Sequence, residues 1–303
     1  MKLYKTILCP ICNSNNYKIL IQGRKKSQNL KKLKKLYSSS NNLFIDQVVL
    51  CKKCSFVYIN PRINNKIILS GYTEVIDKKF ISQDKLRLRT FNRSIKKINS
   101  IVNLKRIKLG LDVGTGSGAF LMACKKNNLN VQGIEPSKWL VNKFKKVSNI
   151  KIYSGAFENF SFKKKYDVIF FWDVLEHVFD LKKTIQKIKN ILNHNGYLII
   201  NAPDYDSFAR KIMQKKWPFF LSVHLYYFTL ASLKRVLGNE FVFIKKFPHF
   251  QFLEIGYVLK RAKKYFAIFK FIELIFSKLK INHIPCVYNL GQTTFIFKNV
   301  KKN

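Results

Sequence analysis

The chain has 303 residues and a strongly basic composition. It carries 57 Lys and Arg residues against 16 Asp and Glu residues, which gives a formal net charge of +41. Hydrophobic residues make up 47% and aromatic residues 15% of the chain. This composition excludes global disorder and predicts one sizeable core with a small appendage. The charge favours a polyanionic partner, namely RNA, anionic lipid or a phosphorylated substrate. Because lysine is spread along the whole sequence with many Asn and Ile residues, compositional bias is the competing explanation.

Two C-x-x-C pairs lie near the N-terminus, with a basic insert over residues 24–35 between them. Four thiolates in two such knuckles form a tetrahedral zinc site, whereas a redox motif needs only one pair beside a βαβ unit. The first eight residues lack the long apolar core of a secretory signal, so disulfides are disfavoured and a cytoplasmic location is expected. We therefore predict a zinc-ribbon-like head over residues 1–62 with a structural Zn²⁺ ion held by Cys9, Cys12, Cys51 and Cys54.

The next region, residues 63–107, is predicted to be a helical linker or cap. Between Lys79 and Phe91, basic residues and apolar residues recur at helical spacing. One or two amphipathic helices are therefore expected there.

A glycine-rich turn follows this region. Residues 107–113 form an apolar run that predicts a buried strand containing Asp112, and Gly114, Gly116 and Gly118 come next at every second position. Residues 119–126 then predict a helix. A strand, a glycine turn and a helix in this order form a nucleotide-cofactor site, because glycine permits a sharp turn and a close backbone approach to a ligand. The spacing is one residue shorter between the last glycines than in the dinucleotide pattern G-x-G-x-x-G.

Four more strands are predicted downstream. Residues 130–135 end in Glu135, placed where doubly wound folds carry the carboxylate that binds ribose hydroxyls. Residues 150–158 form a third strand and a turn with Phe157. The motif Y-D-V-I begins a fourth strand at residue 166, D-V-L-E-H follows it over 173–177, and residues 195–203 form a fifth strand. His177 thus comes at the carboxyl end of a strand, where open α/β sheets bind ligands.

These five elements, over residues 108–250, resemble class I S-adenosylmethionine (SAM)-dependent methyltransferases. The resemblance implies an α/β fold over residues 108–303: a doubly wound, Rossmann-like sheet of seven strands with the last strand antiparallel. It also implies SAM as cofactor, with Asp112 facing the methionine end and Phe157 beside the adenine. The implied cofactor-binding residues are Asp112, Gly114, Gly116, Gly118, Glu135, Phe157 and Asp173.

The head adds to this resemblance. C-P-I-C and the segment V-V-L-C-K-K-C-S-F-V-Y-I-N-P-R over 48–62 look like the zinc-binding head of bacterial methyltransferases that act on sugar nucleotides and related small molecules. The resemblance implies a small hydroxylated acceptor, phosphorylated or nucleotide-linked, such as a sugar for surface polysaccharide biosynthesis.

A C-terminal segment is expected to close over the acceptor. Residues 217–229 resemble the family's H-L-x-Y-F-S/T segment, which brings His224 near the same cleft as His177. A hydroxyl acceptor must lose its proton, and an imidazole with a pKa near neutrality suits this step. Sugar C-methyltransferases carry Tyr and Glu where this chain has Leu221 and Val223. We therefore favour O-methyl over C-methyl transfer, with His224 as the first candidate base and His177 as the second.

Residues 256–281 are basic and apolar. Their apolar run, residues 265–276, is interrupted by two charges and is too short to span a bilayer. We predict a helical insertion before a last strand at 292–298, and no transmembrane segment. Packing on the domain is the default, and a peripheral contact with an anionic membrane is the alternative.

Two other functions stay open. An RNA methyltransferase is favoured by the charge and the ribbon, but the Asn/Asp-Pro-Pro-aromatic motif of base-amino methyltransferases is missing after the fourth strand. A non-enzymatic nucleic-acid-binding or scaffold protein with a relic cofactor fold is the third hypothesis. The intact glycine loop and Glu135 argue against a relic.

Overall fold

The structure is a computed structural model that describes residues 3–24, 44–64, 67 and 83–301. The described residues form one seven-stranded sheet, one four-stranded sheet and two short strand pairs. Their strands are β1 Tyr4–Lys5, β2 Tyr17–Ile21, β3 Val48–Cys51, β4 Val57–Ile59, β5 Arg62–Ile63, β6 Gly110–Val113, β7 Val131–Glu135, β8 Ile152–Ser154, β9 Tyr166–Trp172, β10 Leu192–Pro203, β11 Tyr226–Tyr227, β12 Phe241–Pro248, β13 Gln251–Glu254, β14 Pro285–Tyr288 and β15 Gln292–Asn299.

The helices of these residues flank the larger sheet and connect its strands. They are α1 Asp84–Asn99, α2 Ala119–Lys126, α3 Lys138–Lys145, α4 Leu181–Ile191, α5 Phe208–Met213, α6 Leu230–Leu237, α7 Ile255–Ala262 and α8 Ile268–Lys278. Helix α4 shows why they form, because Leu181, Ile185 and Ile188 recur on its buried face while lysines cover the other. Helix α6 begins at a capping box between Thr229 and Ser232.

The larger sheet confirms the predicted fold class. Its strand order is β12-β15-β10-β9-β6-β7-β8, and β15 runs antiparallel to both of its neighbours. The strands β8, β7, β6, β9 and β10 are parallel, so their carboxyl ends meet at one edge. This order is the doubly wound sheet of class I methyltransferases, with the antiparallel strand last in the chain.

The parallel strands are apolar because helices cover both faces of the sheet. Phe170 and Phe171, adjacent in β9, point to opposite faces and are both fully buried. Helix α2 has the predicted bounds, whereas β6 begins at Gly110, three residues after its predicted start. Strand β10 begins at Leu192, three residues before its predicted start.

The head is joined to the domain of the seven-stranded sheet through the four-stranded sheet. Its four strands have the order β11-β4-β3-β2, and β11 comes from the C-terminal half of the chain. Tyr226 pairs with Tyr58 across this sheet, and the buried Arg62 donates to the Tyr226 hydroxyl at 2.9 Å. The segment that carries His224 is therefore held in place by the head.

The helical insertion predicted over 256–281 contains α7 and α8, between β13 and β14. Helix α8 leaves much of its apolar surface open: Ile268 and Phe271 are each 61% exposed. Helix α1, in the predicted linker, packs on α2 through the rings of Phe91 and Phe120, whose centroids lie 5.3 Å apart. Among the described residues, no helix is both long and apolar enough to cross a membrane.

Candidate active site

The glycine turn lies at the carboxyl end of β6 and is built on positive backbone φ angles. The angles are +70° at Gly114, +55° at Gly116 and +83° at Gly118, a region that disfavours other residues. A Cβ on Gly114 would lie 2.6 Å from Val174 Cγ2, and one on Gly118 would lie 2.2 Å from the ring of Phe144. Glycine is thus required at both positions by conformation and by space.

Glu135 joins this turn to the start of the next helix. Its Oε2 accepts a hydrogen bond from the Gly116 N–H, and its Oε1 accepts one from the Ser137 N–H, both at 2.9 Å. The side chain is 2% exposed, and burial raises the pKa of its carboxyl to about 7 although both backbone N–H groups oppose the shift. A carboxylate fixed at the end of the second parallel strand fits the ribose hydroxyls of a nucleoside cofactor.

Asp112 lies beside Glu135 and is 1% exposed. Its Oδ1 has no hydrogen-bond partner among the described residues. Burial, and then the nearby Glu135 carboxylate, raise the pKa of Asp112 well above its usual range. A buried carboxylate oxygen without a donor is costly, so a cationic ligand such as the ammonium of an amino acid would compensate it.

These residues open onto a cavity of about 260 Å³. Of the residues predicted to form the site, the cavity is lined by Asp112, Gly114, Gly116, Glu135, Asp173, His177 and His224. Gly118 instead packs against Phe144. Phe157 lines an adjoining cavity of about 350 Å³, which shares Gly114, Val174 and His177 with the first. The two cavities meet at the glycine turn, as an elongated ligand across the sheet edge requires.

Asp173 begins the loop after β9 with a φ of +54°. Its Oδ1 accepts hydrogen bonds from Asn201 Nδ2 and Gln292 Nε2, both at 2.7 Å. Burial raises the pKa of Asp173 to about 6, and the two amide donors limit the rise. Its orientation is therefore set by β10 and β15, the neighbours of its own strand.

His177 and His224 face each other in the cavity wall, with ring centroids 4.7 Å apart. His177 Nδ1 lies 2.9 Å from the Val223 carbonyl oxygen, and His224 Nδ1 lies 2.8 Å from the Phe219 carbonyl oxygen. Burial lowers the pKa of His177 to about 4 and that of His224 well below its usual range. Both rings are consequently neutral at pH 7, which differs from the near-neutral pKa expected from the sequence.

Glu176 precedes this histidine pair and is 1% exposed. Neither of its carboxylate oxygens has a hydrogen-bond partner among the described residues. One oxygen of Glu176 and one ring nitrogen of each histidine all lie within 4.8 Å of one another. Three potential metal ligands thus lie close together in the cavity wall.

The four N-terminal cysteines also come together. Cys9 Sγ lies 3.4 Å from Cys54 Sγ, Cys12 Sγ lies 3.5 Å from Cys51 Sγ, and all four sulfurs are within 4.8 Å of one another. A tetrahedral zinc site with zinc–sulfur distances of about 2.3 Å has its sulfurs roughly 3.8 Å apart, which is compatible with these separations. Burial raises the pKa of the Cys9 and Cys54 thiols, so a cation is needed to hold them as thiolates. The donor set therefore fits zinc.

A comparison with protein families matches residues 85–240 to the family described as "Methyltransferase domain". The match covers just over half of the chain. The chain belongs to this methyltransferase family.

The curated relatives share part of this methyltransferase region. An uncharacterised protein of Methanocaldococcus jannaschii is 32% identical over 108 residues, which cover 35% of this chain and 50% of that protein. A ubiquinone biosynthesis O-methyltransferase of Pelagibacter ubique is 36% identical over 102 residues, which cover 32% of this chain and 42% of that protein. The chain thus spans half or less of the length of these two relatives.

Among solved structures, the methyltransferase is similar to two SAM-dependent methyltransferases. The one from Thermotoga maritima has a TM-score of 0.48 and 17% identity over 74% of this chain and 94% of the other. The one from Archaeoglobus fulgidus has a TM-score of 0.48 and 16% identity over 74% of this chain and all of the other. The strand order and the family match together define a class I SAM-dependent methyltransferase fold.

The methyltransferase cavity also contains residues that the sequence analysis did not assign to it. Arg87 and Thr90 come from α1, His249 from the turn between β12 and β13, and Gln292 from the start of β15. Their sequence neighbourhoods carry no motif, since each enters the site through packing of its element against the sheet. Glu176 lies inside the motif D-V-L-E-H. Its position next to His177 was the feature of the sequence that could have assigned it to the site.

Proposed function

We propose that this methyltransferase transfers the methyl group of SAM to a hydroxyl oxygen of a small acceptor, a nucleotide-linked sugar or another polysaccharide precursor. The observation that carries the proposal is one cavity lined by the glycine turn, Glu135 and two neutral imidazoles. A nucleoside-binding carboxylate and proton-accepting groups in one cavity suit transfer from a nucleoside cofactor to an O–H acceptor.

The cofactor half of the site would hold SAM through complementary groups. The Glu135 oxygens would accept hydrogen bonds from the ribose hydroxyls, and Asp112 would receive the ammonium of the methionine end. Phe157 would lie beside the adenine, in the adjoining cavity. Bound SAM supplies a methyl group on a sulfonium, which needs a nucleophile in line with the carbon–sulfur bond.

The acceptor half of the site would position and deprotonate the hydroxyl. Because a backbone carbonyl only accepts hydrogen bonds, Nδ1 of each imidazole carries the proton and Nε2 keeps its lone pair. His224 is the first candidate to take the acceptor proton, and His177 the second. Holding the oxygen near the methyl carbon supplies much of the remaining rate enhancement.

Two observations favour an oxygen acceptor. The cavity wall at positions 221 and 223 is apolar, with Leu221 and Val223 where sugar C-methyltransferases carry Tyr and Glu. The Pelagibacter relative, 36% identical over 102 residues, is an O-methyltransferase. The matched region includes less than half of that relative, so its substrate is not transferred to this chain.

We further propose that Cys9, Cys12, Cys51 and Cys54 hold a structural zinc ion in the head. The head strand β4 pairs with β11, only a few residues after His224. Zinc binding would therefore stabilise the acceptor side of the cavity as well as the head.

The charge supports one alternative, an RNA acceptor. A formal charge of +41 attracts RNA without sequence preference and makes RNA an acceptor to test directly. The same cavity would then methylate a ribose hydroxyl.

The test is transfer of labelled methyl from SAM into a small-molecule extract and, separately, into total RNA. Wild type is compared with Gly116→Val, His224→Ala and the control His283→Ala, whose side chain is exposed outside the cavity. We expect label in phosphorylated small molecules, lost in Gly116→Val, reduced in His224→Ala and kept in His283→Ala. Nuclease-sensitive label in RNA would replace the sugar-nucleotide proposal, and no transfer to either pool would contradict both.

A further inference from the structure

The starting observation is the buried carboxylate of Glu176. Its side chain is 1% exposed, lines the cavity, and has no hydrogen-bond partner for either oxygen among the described residues. A buried carboxyl group without donors costs folding free energy whether it is ionised or protonated. In a folded protein such a group calls for a reason, such as a catalytic role or a bound water or ion.

The second observation is the orientation of the two histidines beside it. Each imidazole donates Nδ1–H to a backbone carbonyl, at 2.9 Å for His177 and 2.8 Å for His224. This arrangement fixes both tautomers with Nε2 unprotonated. Metal-binding histidines are characteristically held in this way, with the second ring nitrogen donating to a carbonyl or carboxylate.

We propose that Glu176, His177 and His224 bind a divalent cation that receives the acceptor hydroxyl. Two imidazoles and one carboxylate on one side of an ion leave its other coordination positions open. In this chain the open positions face the cavity that also holds the glycine turn. The role in catalysis rests on the proposed methyl transfer to oxygen, whereas the cation site itself does not.

The distances allow such a site after small side-chain movements. The three ligand atoms lie within 4.8 Å of one another. Ligands at about 2.1 Å from a common ion are at most roughly 4.2 Å apart. A shift of the Glu176 side chain would have to close this difference, since both imidazoles are held by backbone carbonyl groups.

The cation would replace the imidazoles as the means of deprotonating the acceptor. A metal-bound Nε2 has no lone pair left to accept a proton, so with the cation in place the two histidines act as ligands and not as the bases proposed above. A hydroxyl bound to a divalent cation has a strongly lowered pKa and releases its proton to solvent. The resulting alkoxide attacks the sulfonium methyl: the oxygen–carbon bond forms, the carbon–sulfur bond breaks, and its electron pair stays on sulfur. The cation keeps its charge throughout.

The test uses Mn²⁺ as the probe, because this ion prefers nitrogen and oxygen ligands to the thiolates of the head. Full-length protein with zinc retained in its head is titrated with Mn²⁺ by calorimetry, and free Mn²⁺ is counted by electron paramagnetic resonance. We expect one Mn²⁺ per chain in wild type and in His283→Ala. Glu176→Gln and His224→Ala should weaken binding at least about tenfold, the loss typical of removing one ligand or its support.

Two further measurements keep the result interpretable. SAM binding and the thermal unfolding midpoint are measured on each variant, and Glu176→Gln, nearly isosteric, should retain both. The proposal is overturned if wild type binds no stoichiometric Mn²⁺, or if folded Glu176→Gln and His224→Ala bind it as well as wild type does. Stoichiometric Mn²⁺ binding lost in both variants supports the site even if no methyl transfer to oxygen is detected, a result that would contradict the proposed function alone.

Discussion

Replacement of Glu135 with Gln removes one buried charge and nearly preserves the side-chain shape. The carboxylate accepts N–H groups from Gly116 and Ser137, and it is proposed to accept the two ribose hydroxyls of SAM. In Glu135→Gln, one of the two backbone N–H groups and one of the two ribose hydroxyls would face an amide NH₂ group. We expect SAM affinity to fall about 10- to 100-fold at about pH 8, since a hydrogen bond to a charged group contributes about 1.5–3 kcal/mol.

The stability of the apoprotein should change little, because two effects oppose each other. The pKa of Glu135 rises from 4.5 to about 7 on folding. This shift corresponds to about 3 kcal/mol of destabilisation when the group is ionised. The folded protein binds this proton more tightly than the unfolded chain does. The contribution of the Glu135 carboxyl to stability is therefore greatest below pH 4.5 and declines as the pH rises to about 7. Glutamine removes that cost but leaves one backbone N–H facing a donor, which costs about 1–3 kcal/mol.

The assay is calorimetric SAM binding to wild type and Glu135→Gln at about pH 6 and about pH 8, with thermal unfolding of both. Binding requires the ionised carboxyl, which is roughly one tenth of the wild-type population one pH unit below a pKa of about 7. The ratio of the two dissociation constants should therefore shrink about tenfold at the lower pH. Asp112 titrates in both proteins, and because burial is the larger cause of its raised pKa and Glu135 the smaller, the ratio removes most of that effect. Equal affinity of both proteins at the higher pH would refute the role of Glu135, and a ratio independent of pH would refute its raised pKa.

Three other changes test the rest of the structure. Cys51→Ser should lose the zinc measured by mass spectrometry and lower the unfolding midpoint; a wild type with well under one zinc per chain, and no effect of the change, would contradict the zinc proposal. Gly118→Ala should destabilise the fold by about 2–5 kcal/mol in chemical unfolding, because its Cβ would lie 2.2 Å from Phe144 at a positive φ. Gly238→Ala, also at positive φ but with 3.7 Å of clearance, should cost less, and equal costs would show that the ring contact is unimportant. Phe271→Asp should reduce co-sedimentation with anionic vesicles at low salt, since this side chain is 61% exposed on α8; a wild type that stays in the supernatant would end the membrane alternative.

Several elements were predictable because their signals are local in the chain. The strand, turn and helix around Gly114 follow from an apolar run, three glycines and a second apolar run within residues 107–126. The cysteine pairs and the cap of α6 at Thr229 are equally local. The order of the sheet came from resemblance to a family, because no rule of local spacing sets it.

Other features depended on contacts between distant parts of the chain. Gln292 fixes Asp173 from a strand 119 residues later, and Tyr226 joins the head through Tyr58. No periodicity in either segment indicates such a pairing.

The sequence by itself determined the fold class, the glycine turn and the identity of the residues available for chemistry. The tertiary structure decided the burial, the hydrogen bonds and the pKa values of these residues. It left both carboxylate oxygens of Glu176 without a hydrogen-bond partner among the described residues, and it buried His177 and His224 against backbone carbonyls. The physical reason is that side-chain identity sets which protons a group can exchange, whereas burial and neighbouring dipoles set the pKa at which it does so. Those surroundings are assembled only when β6, β9 and the head sheet pack together.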